Sequence, residues 1–278
     1  MSSQFSTTLE YIPINTVKEK LANFNIKPRK SLGQNFLVEK EALKIILKEA
    51  QLETRDTVLE VGPGLGVLTK NLAQQTKKVI AVEKDHRLIP LLKKEVESLY
   101  NNVRLYEKDI LDFLKQENYS FNKVVSNPPY YIISPLLNLL LEKNLDLILL
   151  TLPKKQGERV LAAPPKANRL SIMTLLRADV EKIATFSKKA FWPQPKVDSL
   201  LLKITPRSSY NEELVKFVKN SFSQPRKTLA NNLKNFLSLP KNKLEKIICN
   251  LDLNLKARPG ELTLEQWRNL YQKIIKTL

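Results

Sequence analysis

Apolar positions along the chain follow two rhythms. Short apolar runs at Val58–Val61, Val79–Val82, Val103–Tyr106, Lys123–Ser126 and Leu147–Leu152 have the length and β-branched content of buried strands. Between and around them, at Glu39–Ala50, Val67–Gln75, Arg87–Leu99, Pro135–Lys143 and Arg169–Ala178, apolar residues recur every third or fourth position. That period is a helix with one buried face. Strands alternating with helices predict a mostly parallel sheet covered on both faces. The alternation breaks at Val180–Ser187 and Val197–Thr205, two strand-like runs with the loop Phe191-Trp192-Pro193-Gln194-Pro195 between them. They are read as an antiparallel hairpin closing one edge of the sheet.

After Pro206-Arg207-Ser208-Ser209 the strand pattern stops, and Glu212–Phe222, Arg226–Leu237, Leu244–Leu251 and Leu264–Ile275 all have helical periodicity. Three segments follow: a polar arm at 1–26 with a short helix near Val17–Phe24, an α/β domain at 27–207, and a small all-helical domain at 208–278.

Charge narrows the partner. Lys and Arg number 46 against 28 Asp and Glu, a net charge of +18, with an isoelectric point near 9.8. Such an excess favours a polyanion, nucleic acid first. With one cysteine, Cys249, and one histidine, His86, a disulfide framework and a Cys- or His-built metal site are excluded, and no metal is expected. No apolar run has the ~20 residues that span a bilayer. The N-terminus lacks the apolar stretch of a secretory signal. A reducing, cytoplasmic setting without a membrane partner is expected.

The candidate chemistry begins at Glu60-Val61-Gly62-Pro63-Gly64-Leu65-Gly66, where an apolar strand runs into a glycine turn and a helix. Glycine supplies positive φ and lets a ligand approach bare backbone. Glu83 closes the second strand, about 20 residues on, where a carboxylate holds a ribose diol. Asp109 follows the third strand and Asn127 the fourth. The glycine spacing differs from the dinucleotide fingerprint and fits an S-adenosylmethionine site. A single acid at a strand end is ordinarily a helix cap or a solvated charge; the ordered series is what points to a cofactor pocket.

Asn127-Pro128-Pro129-Tyr130 is the sharpest signal. Successive prolines remove backbone donors and leave carbonyls. The Asn127 side-chain oxygen and the Pro128 carbonyl together suit an exocyclic amine such as adenine N6. Tyr130 is expected to stack on the extruded base, with Phe191 as a second aromatic wall. The competing reading puts Phe191 in the core and Trp192 against the base.

Taken together these segments resemble the small-subunit ribosomal RNA adenine N6,N6-dimethyltransferases. The resemblance runs from about Lys27 to Leu270. It rests on Ser31-Leu32-Gly33-Gln34-Asn35-Phe36-Leu37, the glycine turn, Asn127–Tyr130, Arg169-Leu170-Ser171, Phe191–Ser199 and Arg226-Lys227-Thr228-Leu229. It implies a Rossmann-like class I methyltransferase sheet with a helical C-terminal domain that docks on the subunit. It also implies an S-adenosylmethionine site lined by Asn35, Leu37, Gly62, Gly64, Glu83, Asp109 and Asn127. Catalysis falls to Asn127, Pro128, Tyr130 and Phe191. The implied target is a pair of adjacent adenosines in small-subunit rRNA, met in the immature small ribosomal subunit by a monomeric enzyme. The alternatives are a large-subunit rRNA adenine methyltransferase and a non-catalytic assembly or transcription factor on the same fold. The chain departs from the family pattern at Pro128, across Pro153–Val160 and at Asn168.

Overall fold

The structure is a computed structural model that describes residues 9–29, 32–116 and 119–277, with the side chain of Tyr130 left out of the description. In chain order the elements are α1 (Ile14–Asn23), β1 (Phe36–Leu37), α2 (Lys40–Glu49), β2 (Thr57–Val61), α3 (Val67–Ala73), β3 (Lys78–Glu83) and α4 (Ile89–Leu92). They continue with β4 (Val103–Glu107), α5 (Ile110–Gln116), β5 (Lys123–Ser126), α6 (Ile133–Leu140), β6 (Leu147–Pro153), α7 (Lys154–Leu161), α8 (Arg169–Leu175) and β7 (Ala178–Phe186). The last are β8 (Phe191–Trp192), β9 (Ser199–Pro206), α9 (Glu212–Ser221), α10 (Leu229–Lys234), α11 (Lys241–Cys249) and α12 (Leu264–Ile275).

Seven strands form one sheet in the order β4-β3-β2-β5-β6-β9-β7. The pairs β3–β4, β2–β3, β2–β5 and β5–β6 are parallel. β9 runs antiparallel to β6, with Leu150 opposite Leu202. β5 and β6 are buried along their whole length, as strands covered on both faces must be. β1 and β8 add a two-stranded antiparallel ladder pairing Phe36 with Trp192 and Leu37 with Phe191, which no run of the sequence is long enough to signal. The strand order reverses between β2 and β5, so the crevice for a ligand opens at their carboxyl ends.

The chain divides into two compact units, 1–157 with 181–206 and 158–180 with 207–278. In the first, the stretch read as a polar arm is built into the core: Ile12, Val17, Leu21 and Ile26 are buried in the same cluster as Leu43, Val58 and Leu72. Asn71 exchanges hydrogen bonds with the backbone of Glu10, at 3.0 Å and 2.8 Å.

In the second unit, Ile172, Met173 and Leu176, at and just after α8, share a core with Leu214, Val218, Leu229, Leu244, Trp267 and Leu270. Helical residues read from the sequence as part of the α/β domain thus belong with the tail, because their apolar face needs that cover. Asn168 caps α8: its Oδ1 accepts from Leu170 N (2.9 Å) and Ser171 N (3.2 Å), and Ser171 Oγ accepts from Asn168 N (3.0 Å). A capping box of this kind is a reason for Asn at a position where the family pattern has glycine.

One helix of the tail is shorter than expected. Arg226 and Lys227 precede α10 instead of opening it. Thr228 is the cap, and the buried Asn232 side chain donates to the carbonyls of Gln224, Lys227 and Thr228, holding the 224–228 turn in a non-helical path. Among the described residues no helix is long and apolar enough to cross a membrane.

Candidate active site

The glycine turn after β2 is left-handed at all three glycines, with φ of 70° at Gly62, 60° at Gly64 and 77° at Gly66. At Gly66 an added Cβ would press into Val96 Cγ2, and at Gly64 it would come within 3.0 Å of Phe36 Cδ1. Both positions therefore require glycine for conformation and for space. The turn delivers the chain into α3 with its backbone bare toward a cavity in the first unit. That cavity is lined by Asn35, Leu37, Gly62, Gly64, Glu83, Asn127 and Phe191 among the residues expected from sequence.

Glu60 and Glu83, from β2 and β3, supply two carboxyls of the cavity wall. Glu60 is 2% exposed, and its Oε2 has no hydrogen-bond partner. Burial pushes its pKa up to about 8; the Thr69 hydroxyl nearby opposes this and the charge of Glu83 adds to it. Glu83 accepts from Asp85 N at 2.8 Å and from Gly64 N at 3.3 Å. Burial still raises its pKa, with those backbone donors countering only part of the effect.

Asp85 behaves oppositely. Burial works against its ionisation, but hydrogen bonds from Arg87 and Gln34 outweigh burial and hold its pKa below the ordinary value. Asp109 lies in an adjoining pocket that shares Gly62, Glu83, Lys84, Pro129 and Tyr131 with the main cavity. Burial disfavours its charge too, yet the Lys84 ammonium at 2.8 Å and the Leu111 N–H at 2.8 Å keep its pKa low.

Asn127 leaves the end of β5 half-buried, and its Nδ2 donates to the Asn35 carbonyl at 3.2 Å. That contact fixes the amide plane and leaves Oδ1 as its acceptor end. Pro128 is buried and is not on the cavity wall; Pro129 and Tyr131 are. The Tyr130 side chain lies outside the described residues. Phe191 is 2% exposed and belongs to the core cluster with Phe36 and Ala190 while also lining the cavity. It is a buried wall and not a free aromatic face. Trp192 packs half-buried against the same cluster.

Sequence reasoning passed over Gln34, Lys84, Asp85 and Tyr131, all on the cavity wall. Tyr131, 54% exposed, had a signal in the doubled tyrosine after the prolines. Gln34 and Asp85 had none, since their partners are remote in sequence.

A parallel sheet with a reversed strand near one edge, and a glycine-floored acidic cavity where the strand order switches, define a Rossmann-like methyltransferase. The comparisons then fix the family. The description "Ribosomal RNA adenine dimethylase" belongs to the family profile that matches residues 25–276. "Ribosomal RNA small subunit methyltransferase A" of Bacillus pumilus is 38% identical, over 96% of this chain and 97% of that protein. Its namesake from Natranaerobius thermophilus is 35% identical, over 93% and 95%. Among solved structures, a dimethyladenosine transferase from Plasmodium falciparum superposes with a TM-score of 0.73 at 28% identity, covering 87% of this chain and 98% of that one. The 23S rRNA methyltransferase ErmE shares the fold, with a TM-score of 0.68 at 23% identity. The chain belongs to the ribosomal RNA adenine dimethylase family.

Proposed function

We propose that this chain transfers methyl groups from S-adenosylmethionine to the N6 amines of two adjacent adenosines in small-subunit rRNA. The product is N6,N6-dimethyladenosine, made during ribosome biogenesis. The observation that carries the reading is the meeting of Asn127, the glycine turn and Glu83 on one cavity at the switch point. The small-subunit names of the relatives support the choice of substrate.

The cavity suits this donor chemically. S-adenosylmethionine carries an ammonium and a sulfonium, and it supplies an electrophilic methyl group. Glu60, Glu83 and Asp85 give the wall an acidic character, and the unpartnered Glu60 Oε2 is a buried acceptor that a cation would satisfy. Glu83 is the acceptor for the ribose diol, Asp109 serves the adenine end, and Asn35 and Leu37 close the cavity from the β1 side. Asn127 Oδ1 accepts from the target amine and draws its lone pair out of conjugation. No strong base is needed, because positioning and preorganised acceptors lower the barrier. Tyr130 stacks on the base, and Phe191 backs the pocket as a buried wall.

The second unit docks RNA. Lys219, Arg226, Lys227 and Lys234 are exposed, whereas Lys216 is engaged by Glu213 at 2.8 Å. Phosphate contacts of this kind position the enzyme without reading sequence. The enzyme works as a cytoplasmic monomer on the immature subunit. The test is transfer from labelled S-adenosylmethionine to immature small subunits, large subunits, naked rRNA and DNA in parallel. Label confined to the small subunit supports the proposal, and label confined to DNA or to large subunits rejects it.

A further inference from the structure

At the cavity wall and just behind it, a polar network joins two stretches that are remote in sequence. Asp85 is 3% exposed, and Arg87 grips it through Nε to Oδ1 at 2.8 Å and Nη2 to Oδ2 at 2.5 Å. Asp85 Oδ2 also accepts from Gln34 Nε2 at 2.6 Å. Gln34 Oε1 in turn accepts from Arg29 N at 2.7 Å, and Gln34 N donates to the Arg29 carbonyl at 3.4 Å. Arg87 Nη1 closes the network by donating to the Lys27 carbonyl at 3.0 Å. Meanwhile Asp85 N donates to Glu83 Oε1. One end of the network is therefore the carboxyl on the cavity wall and the other is the turn that leads into Asn35–Leu37.

Arg87 does not line the cavity, yet its guanidinium and the Asp85 carboxylate it holds carry hydrogen bonds that join the end of β3 to this turn among the described residues. Its fork is bidentate, the strongest geometry for an Arg–carboxylate pair, and its Nη1 carries the only bond it makes beyond Asp85 among the described residues. We infer that Arg87, acting through Asp85 and the Lys27 carbonyl, is a clasp that holds residues 27–29 and 32–37 against the methyl-donor cavity. This makes it a positioning residue for donor binding. The inference rests on the donor site proposed above. Asn35 keeps its bond from Asn127 and Leu37 its pairing with Phe191, so loss of the clasp loosens the stretch on their N-terminal side, around Gln34, and the ordering that Arg87 provides in advance must be supplied by the donor on binding.

The test compares the native chain with Arg87→Met, which keeps an unbranched apolar stem without the donors, and Arg87→Lys, which keeps the charge and part of the hydrogen bonding. Calorimetry with S-adenosylmethionine and with S-adenosylhomocysteine reads affinity. Amide hydrogen exchange of the ligand-free proteins reads the order of residues 32–37. Arg87→Met should weaken both ligands about tenfold or more, with Arg87→Lys intermediate. Turnover at saturating donor should stay near native, so the loss sits in KM and not in kcat. Exchange in Arg87→Met should rise at 32–37 and stay native in β2 and β3. Native affinity together with native exchange in Arg87→Met overturns the clasp, as does an exchange increase spread over β2 and β3. If the folded native chain binds neither ligand, the donor reading fails, and the exchange comparison still decides whether the clasp exists.

Discussion

Replacing Glu60 by Gln removes an ionisable carboxyl from the cavity wall without changing its shape. Glu60 sits at 2% exposure in β2, and burial lifts its pKa from 4.5 to about 8. Between those two values the folded chain holds a proton that the unfolded chain has released. Stability therefore falls as pH rises across that window. Below 4.5 the carboxyl is protonated in both states and contributes nothing, and above about 8 the full penalty applies. At ~1.4 kcal/mol for each pKa unit, that penalty is on the order of 3–5 kcal/mol. Glutamine matches the protonated acid in shape and cannot ionise. In the ligand-free protein Glu60→Gln should be near neutral at about pH 5 and stabilising by a few kcal/mol at about pH 9. Urea unfolding at a series of pH values measures the difference. A variant-minus-native difference that stays flat, or shrinks as pH rises, refutes the buried, raised-pKa state assigned to Glu60.

Three further outcomes are expected. Asn127→Ala should lower kcat about 10²–10³-fold while the fold persists, because one preorganised acceptor is lost; single-turnover methyl transfer with circular dichroism checks it, and near-native turnover removes Asn127 from the mechanism. Glu83→Ala should weaken S-adenosylmethionine binding roughly 10–100-fold, as expected for losing a hydrogen bond to a charged group, and leave rRNA affinity unchanged; equal donor affinity by calorimetry rejects the ribose-holding role. Arg226→Glu with Lys227→Glu should weaken rRNA binding and lower the slope of log affinity against log salt by about 1–2, with donor affinity intact; an unchanged slope removes this turn from the docking surface.

The parallel core was legible because its strands are short and rich in apolar residues, as in Val79–Val82 and Leu147–Leu152, and helical periods separate them. Lys123–Ser126 and Leu264–Ile275 match their elements end to end. The β1–β8 ladder was not, since two-residue strands carry no periodicity and exist only because Phe36 meets Trp192 and Leu37 meets Phe191 across the fold. The Leu229–Lys234 helix was overextended because Asn232, a buried side chain bonded to three carbonyls, overrides local propensity, and no pattern along the chain announces that. Similarly, the lining of the cavity was legible where polar residues and glycine sit at strand ends, as with Gly62, Glu83 and Asn127. It was hidden where a residue is placed by a partner far away in sequence, as Gln34 is by its hydrogen bond to Asp85. Phe191 shows a third limit: aromatic character in a proline-stiffened loop signals a wall, but burial at 2% depends on packing that spacing does not encode.

The most direct measurement is the modified-nucleoside content of small-subunit RNA after incubation of immature subunits with the purified chain and S-adenosylmethionine. Digestion and mass spectrometry should yield N6,N6-dimethyladenosine mapped to adjacent adenosines, and Asn127→Ala should yield almost none. Small-subunit RNA that gains no dimethyladenosine from a folded, donor-binding native chain would contradict the account.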